Sequence, residues 1–427
     1  MSQVKLFGGK SRRAAPQSSA SKARKKKQRS PLKLITVILT ILAVLECGYF
    51  VCVYSDIPFI AKWREIYIQT AMDTMSHQWL AKAFIPQGVI EEAMASRAAA
   101  MQEQTEHSSS DNWADNQQST DTEPKPTTPE NTVTEDPEKT AFYELFWEID
   151  PNSMDAYLKQ HPETLDNGWD EIYINEAGLD DEGTSIQTTM GEQVLAIDVP
   201  NQILLVRVKG SGYRGVLAVA KAPSRLCVEN SAGLGSYGQY VGTIAENNNG
   251  VLAMNGSGFL DPGGVGNGGL LTGYSMSNGE AYQGAPFGWS YKRIELREDN
   301  YFYIVDTSAS VHEDTTDAVE FTPAVIVDGK VLDTSGWSGL HPRTIIGQSD
   351  KGEILMLVVE GRLVQSVGIS VADCAPILLD HGCMQALNLD GGTSAILWYD
   401  GEYVTQCSNT ALPEGRLLPN AFVYKAQ

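Results

Sequence analysis

Cysteine and histidine are scarce in this chain of 427 residues, with six of each. No Cys-x-x-Cys pair occurs and the histidines are scattered, so the ligand spacing of a structural zinc site is missing. No segment recurs at a fixed period, which excludes solenoids and propellers. Basic residues are lacking over most of the length. Residues 1–33 hold eleven Lys or Arg and no acid, which leaves 21 basic against 53 acidic residues over the rest, a net of −32. A polyanion-binding domain needs the opposite balance, so no nucleic-acid partner is expected. The Gly-rich stretch Asp261–Gly269 lacks the Gly-Lys-Ser/Thr ending of a phosphate-binding P-loop. No Gly-x-Ser-x-Gly nucleophile elbow is convincing, because Asn255-Gly256-Ser257-Gly258 has no clear helix after it.

What is present divides the chain. Residues 1–33 read as a basic cytoplasmic tail. Leu34–Tyr54 is an apolar run of 21 residues, long enough for a transmembrane helix and too long for a typical signal-peptide core. Glu46 interrupts it. The basic flank predicts a cytoplasmic N-terminus and an extracellular C-terminal part. Residues 55–100 read as a membrane-proximal helical stalk, with helices over Trp63–Ala83 and Gln87–Arg97. Residues 101–140 are rich in Ser, Thr, Asn, Asp, Glu and Pro and read as a disordered linker. A helical lead-in at 141–192 follows, with Asn152-Ser153 as a helix cap. Over 193–427, runs such as Ile203–Val208, Val216–Ala220 and Ile354–Val359 have strand length and β-branched content. A helix is expected at Asp373–His381, capped by Asp373. The fold class is therefore α+β: a mixed multi-stranded sheet core with few helices, preceded by one transmembrane helix and a disordered linker. Cys227, Cys374, Cys383 and Cys407 would face an oxidising exterior, where pairing is allowed and its pattern is left open.

The stretch Asn388-Leu389-Asp390-Gly391-Gly392-Thr393-Ser394 lies between two apolar runs and reads as strand, tight Gly-Gly turn, strand. It presents one carboxylate, one amide and two hydroxyls at a strand end. Together with Asn255-Gly256-Ser257-Gly258-Phe259, His341-Pro342-Arg343-Thr344 and Glu360-Gly361-Arg362, in this order, it resembles the phosphodiester glycosidase family. The resemblance covers about Gln193 to Tyr424. The family often reads Asn-Gly-Gly-Phe-Phe and Asp-Gly-Gly-Gly-Ser at the first and last of these motifs, so this chain departs from it at both.

The resemblance implies a hydrolase acting on a sugar joined through its anomeric oxygen to a phosphodiester. Many bacterial members of the family are associated with exopolysaccharide biosynthesis. Such a bond breaks through an oxocarbenium-like state that carboxylates stabilise. Its leaving group is a weak base, so a cation on the phosphate matters more than a proton donor. The catalytic candidates are Arg343 as phosphate clamp, Asp390 as nucleophile or electrostatic stabiliser, and Glu360 as acid/base or as the group orienting Arg362. The substrate-binding candidates are Asn255, Gly256, Arg362, Asn388, Gly391, Gly392, Thr393 and Ser394. His341 is read as a proton carrier near neutral pH or as a structural residue before Pro. The Gly-rich loop is a lid, a phosphate nest or a plain surface loop. No metal site and no cofactor are expected, and a weak divalent-cation signal at Asp261 and Glu280 leaves that need open.

These readings combine into a membrane-anchored extracellular glycosidase acting on a glycosyl phosphodiester or a sugar-phosphate glycopolymer, in cell-surface polymer synthesis or remodelling. The alternative is a non-catalytic glycopolymer-binding or assembly protein on the same fold.

Overall fold

The computed structural model describes residues 31–74, 77–106, 136–286 and 291–427. Two compact units result, residues 1–56 and 57–427. Within the first, one α-helix runs over Pro31–Tyr54. Its stretch Leu32–Tyr54, 23 residues, is long and apolar enough to cross a membrane. Residues 1–30 of the basic tail expected at 1–33, and most of the linker expected at 101–140, lie outside the described residues. The ends of that linker are helical: residues up to Glu106 continue the Gln87–Glu106 helix, and Pro137 opens the next one.

The second unit is α+β, as expected, with three antiparallel sheets. The largest has nine strands in the order Tyr173–Asn175, Gln193–Asp198, Ile203–Gly210, Tyr213–Ala220, Ile354–Val359, Arg343–Ser349, Cys383–Asn388, Ala324–Val327 and Lys330–Val331. A five-stranded sheet orders Phe302–Asp306, Lys292–Arg297, Thr315–Phe321, Tyr274–Ser277 and Glu280–Gln283. The other five-stranded sheet orders Glu402–Tyr403, Leu397–Tyr399, Gly250–Asn255, Asn420–Lys425 and Leu226–Asn230.

The unbroken apolar runs find their explanation here. Side chains alternate faces along a strand, and the nine-stranded sheet is covered on both. Leu205, Val216, Ala218, Met356 and Val358 face the two smaller sheets, where they meet Val228, Met254, Phe302 and Phe422. Leu204, Val206, Leu217, Leu355 and Leu357 face the helical side, with Phe142, Phe146, Met154 and Cys374. Each such side chain contributes about 1.5–3 kcal/mol on full burial.

Three local expectations are corrected. Asp150, not Asn152-Ser153, caps the lead-in helix Pro151–Gln160: its carboxylate accepts from the amides of Asn152 and Ser153. Ser370, not Asp373, caps the helix Val371–Asp380, which puts Pro376 inside it. The Asn388–Ser394 stretch is not a hairpin, because the strands on either side belong to different sheets. The stalk is also no free-standing element. Its helices Pro58–Met72, Gln78–Phe84 and Gln87–Glu106 share a small core of Ile68, Ala71, Ala81 and Ile90. They also dock on the loop before Arg343, where Gln69 Oε1 accepts from the Ser338 amide at 3.0 Å.

A buried cation pins the lead-in to the large sheet. Lys221 Nζ donates to Glu148 and to Glu353, the latter at 2.8 Å, and Trp147 Nε1 also donates to Glu353 at 3.0 Å. Breaking such a cluster from one side leaves charge buried without a partner. Lys221→Met is expected to cost about 3–5 kcal/mol, read as a lower urea midpoint for the full chain.

A second lock is Asn255, fully buried at a strand end. Its Nδ2 donates to the Asp390 carbonyl at 2.6 Å, and its Oδ1 accepts from Thr344 Oγ1 at 2.7 Å and from the Ile396 amide at 3.3 Å. Asn255→Ala strands these groups at about 1–3 kcal/mol each and should lower the thermal midpoint measurably.

Candidate functional site

Three neighbouring strands of the large sheet present their ends at one edge. Arg343 pairs with Val359 across one ladder, and Ile345 pairs with Asn388 across the other. Arg343 therefore starts its strand beside the place where Glu360–Arg362 and Asn388–Asp390 leave theirs. The chain then makes a short turn at Gly392–Ser394 and enters another sheet, where Leu397 pairs with Met254. That crossover brings the Asn255 strand end to the same edge.

A cavity of about 780 Å³ opens there. Of the expected site residues, it is lined by Arg343, Arg362, Asn388, Asp390, Gly391, Gly392, Thr393 and Ser394. Glu360, Asn255 and Gly256 are not among its walls. Asn255 has its amide engaged in the framework as described. A Cβ on Gly256 would meet Asn420 Oδ1 at 2.6 Å, so this glycine serves a close approach. Glu360 is buried and forked onto Arg214, with both oxygens at 3.3 Å, and it accepts the Gln406 amide at 3.0 Å. It does not orient Arg362.

Arg343 is buried, and its guanidinium bonds only backbone carbonyls, Ile369 at 3.4 Å and Gly339 at 2.9 Å. No carboxylate within ion-pair distance neutralises it among the described residues. Burial pushes its pKa down to about 10, so it stays charged at neutral pH. Arg362, held at φ 59°, reaches back so that its guanidinium lies 3.3 Å from where a Gly392 Cβ would stand. Burial lowers its pKa, against the pull of Asp73 and Asp390.

Asp390 is the carboxylate at the base of the cavity. Burial pushes its pKa up to about 6, outweighing hydrogen bonds from Ser394 and the Gly391 amide and the charge of Arg416. Asn388 is 2% exposed; its Nδ2 donates to the Thr322 carbonyl at 2.7 Å, while its buried Oδ1 has no partner among the described residues. Thr393 Oγ1 accepts from Ser408 Oγ at 3.2 Å. Burial pushes the His341 pKa down to about 4, so the ring is neutral near pH 7 and is no proton carrier there.

The Gly-rich loop supplies Asp261, Gly263 and Gly264 to the wall. Asp261 is ion-paired with Arg416, and its other oxygen accepts the Gly266 amide at 2.6 Å. Glu280 is exposed and lies outside the cavity. Among the described residues, no group of three or more His, Cys, Asp or Glu side chains is placed to hold a metal ion. Cys227, Cys374, Cys383 and Cys407 are buried and free.

Among the polar residues of this wall, sequence reasoning missed the charged or phenolic side chains Asp73, Arg97, Tyr291 and Arg416. None of them sits in a motif; Asp73 and Arg97 come from the helical segment 58–106, and Tyr291 and Arg416 from positions far from it in the chain. Arg416 stacks on Phe259, its guanidinium carbon 4.6 Å from the ring centre, so an aromatic in the first motif positions a cation from the last loop. Phe321 and Trp337 add apolar surface. The cavity as a whole offers four arginines, two carboxylates already paired to arginines, and one carboxylate that titrates near pH 6. Such a set suits an anionic ligand.

Parts of this chain are similar to known proteins. A Bacillus subtilis (strain 168) protein, the SPbeta prophage-derived uncharacterized protein YomE, is 30% identical over 110 residues, 25% of this chain and 17% of that one. The Bos taurus N-acetylglucosamine-1-phosphodiester alpha-N-acetylglucosaminidase is 30% identical over 108 residues, 25% of this chain and 18% of that one. The chain thus spans less than a fifth of either relative's length. Among solved structures, the zebrafish N-acetylglucosamine-1-phosphodiester alpha-N-acetylglucosaminidase catalytic domain, auto-inhibited by its pro-peptide, superposes with a TM-score of 0.43 and 17% identity, over 53% of this chain and 82% of that one. Residues 248–425, which contain Asn255, Arg343, Arg362 and Asp390, match the phosphodiester glycosidase family, and the resemblance read from the motifs holds for that stretch of the chain.

Proposed function

We propose that the cavity binds a sugar joined through its anomeric oxygen to a phosphodiester and hydrolyses that bond. The observation that carries this reading is Arg343, a buried guanidinium in the cavity wall with no carboxylate among the described residues within ion-pair distance. Such a group is costly to bury unless an anion completes it, and its fork matches two phosphate oxygens. Arg362 closes on the phosphate from the Gly392 side. The phosphate then leaves with its negative charge held, so little proton donation is needed. Asp390 acts in its ionised form on the positive charge that develops at the anomeric carbon, as nucleophile or as stabiliser. Asn388, Thr393 and Ser394 border the same space.

In this reading the Leu32–Tyr54 helix anchors the protein, the basic tail stays cytoplasmic, and residues 57–427 work outside on a cell-surface glycopolymer. The engagement of Glu360 with Arg214 favours a second reading, in which the site binds such a polymer without cleaving it, because Asp390 then lacks the carboxylate partner that most glycosidases have.

Turnover separates the two. The full chain should release free sugar from a panel of sugar-1-phosphodiesters. Asp390→Asn should lower kcat by about 10³-fold or more while binding persists, and Arg343→Met should lower kcat/KM by about 10²–10³-fold. In ¹⁸O-water the label should enter the sugar; label in the phosphate would mean cleavage of the P–O bond. A folded protein that binds these diesters and cleaves none establishes the binding reading.

The pH profile tests Asp390 directly. Its carboxylate is the acting form, so activity should hold above about pH 6 and fall about tenfold per pH unit below it. Arg416 lowers the Asp390 pKa, so Arg416→Met should move this limb to higher pH.

A further inference from the structure

The membrane-proximal helices carry charge into the cavity from outside residues 248–425, and the reading above makes no use of it. Thr70 Oγ1 accepts from the Leu340 amide at 2.9 Å, next to the docking contact of Gln69. A Cβ on Gly336 would stand 2.8 Å from Met101 Cγ, so the Gln87–Glu106 helix closes tightly on the same loop. These contacts place Asp73 and Arg97 in the cavity wall. Arg97 Nη1 is ion-paired with Asp73 Oδ1, and Asp73 Oδ2 lies 3.4 Å from His341 Nε2. On the other side of the ring, His341 Nδ1 lies 3.4 Å from Arg362 Nη2.

This chain of contacts has a direction. A guanidinium can only donate, so Nδ1 must accept. The neutral ring then carries its proton on Nε2, which lies 3.4 Å from the Asp73 carboxylate, close enough for a small shift to align the two. His341 is 4% exposed, so water offers little substitute for either neighbour. Without an acceptor opposite Nε2, the ring is released to its other tautomer, which sets Nδ1–H against Arg362, donor to donor.

We propose that Asp73 is a positioning residue of the anion site: acting through His341, it holds the Arg362 guanidinium in place for a phosphate group, so the membrane-proximal helices complete a site that otherwise belongs to residues 248–425. Arg97 steadies Asp73 and balances its charge, which keeps the net field at the ligand positive. The proposal rests on the phosphodiester reading only for the identity of the ligand as a phosphate.

The test uses the full chain in detergent, titrated calorimetrically with inorganic phosphate and assayed with a sugar-1-phosphodiester. Asp73→Asn keeps the shape, but with its Oδ1 held by Arg97, which can only donate, its NH₂ replaces the acceptor opposite Nε2. It should weaken phosphate binding about tenfold and raise KM by a similar factor, with kcat within about threefold of wild type. Asp73→Glu should recover most of the loss, which a merely structural role would not grant. Should Asp73→Asn fail to fold, His341→Leu removes the acceptor from Arg362 and should weaken phosphate to the same degree. Phosphate affinity within twofold of wild type in the folded variants, or a loss confined to kcat, overturns the proposal. If wild type binds phosphate, cleaves no diester, and still loses phosphate affinity on Asp73→Asn, then the hydrolase reading fails and this one stands. A wild-type protein that binds no phosphate overturns both.

Discussion

The geometry of the site depends on one carboxamide. Asn255 ends a strand of one sheet, yet it hydrogen-bonds the Asp390 carbonyl, the Thr344 hydroxyl and the Ile396 amide, which belong to the strands and crossover of the other side. The position needs one group that donates and accepts in a dry interior. An aliphatic side chain would leave buried polar groups without partners. A carboxylate would set an acceptor against the Asp390 carbonyl. Thr344 follows Arg343 directly, so the same side chain fixes the Arg343 strand and the Asp390 loop relative to each other. Preorganisation of this kind costs nothing further when a ligand arrives.

Electrostatics work at two ranges here. Outside the basic tail the chain carries a net charge of −32, which would repel an anionic polymer. Salt screens that repulsion over about 8–10 Å. Inside the cavity the balance reverses. Asp73 is neutralised by Arg97 and Asp261 by Arg416, while Arg343 has only backbone carbonyls as partners among the described residues. Burial holds Asp390 near the point of losing its charge. The local field is therefore cationic in spite of the global sign, and the ligand meets it only after entering.

Much of the fold was legible, and the failures have physical causes. The apolar runs Ile203–Val208 and Ile354–Val359 announced strands because nothing but a doubly covered sheet buries every residue of such a run. Strands such as Lys292–Arg297 went unseen because their buried charges satisfy one another: Arg293 and Arg297 both bond Glu295 on the same strand. Ser370 three residues before Asp373 was a readable capping signal, and Asp150 before Pro151 was another. That Arg343 and Asp390 would share one cavity wall was legible because their motifs are local. Glu360 was misread because its partner is set by register. Val359 pairs with Gly215, which puts Arg214 beside Glu360 across the ladder, and nothing in the Glu360-Gly361-Arg362 motif reveals that. Asp73 and Arg97 were invisible as site residues, since only the docking of the helices brings them to the cavity.

The departures from the family's usual motifs fall where the backbone permits them. A Cβ on Gly391 would lie 2.7 Å from the Pro342 carbonyl, and Gly392 holds φ +62° while its amide donates to that same carbonyl at 3.0 Å. Both glycines are kept, because this close approach fastens the Asp390 loop to the residue before Arg343. The next position has no such demand, and Thr393 stands there with its hydroxyl accepting from Ser408 at 3.2 Å at the cavity wall. In the first motif Gly256 is kept where a Cβ would meet Asn420 Oδ1 at 2.6 Å, and Gly258, where the family often reads Phe, lies where a Cβ would meet Thr272 Oγ1 at 2.8 Å. Ser257 between them is buried, and its amide donates to Asn420 Oδ1 at 2.8 Å. The chain has thus kept the glycines that its geometry requires and changed the ones that it does not. At Thr393 the change adds a methyl and a hydroxyl beside Asp390, where a bound sugar would feel them.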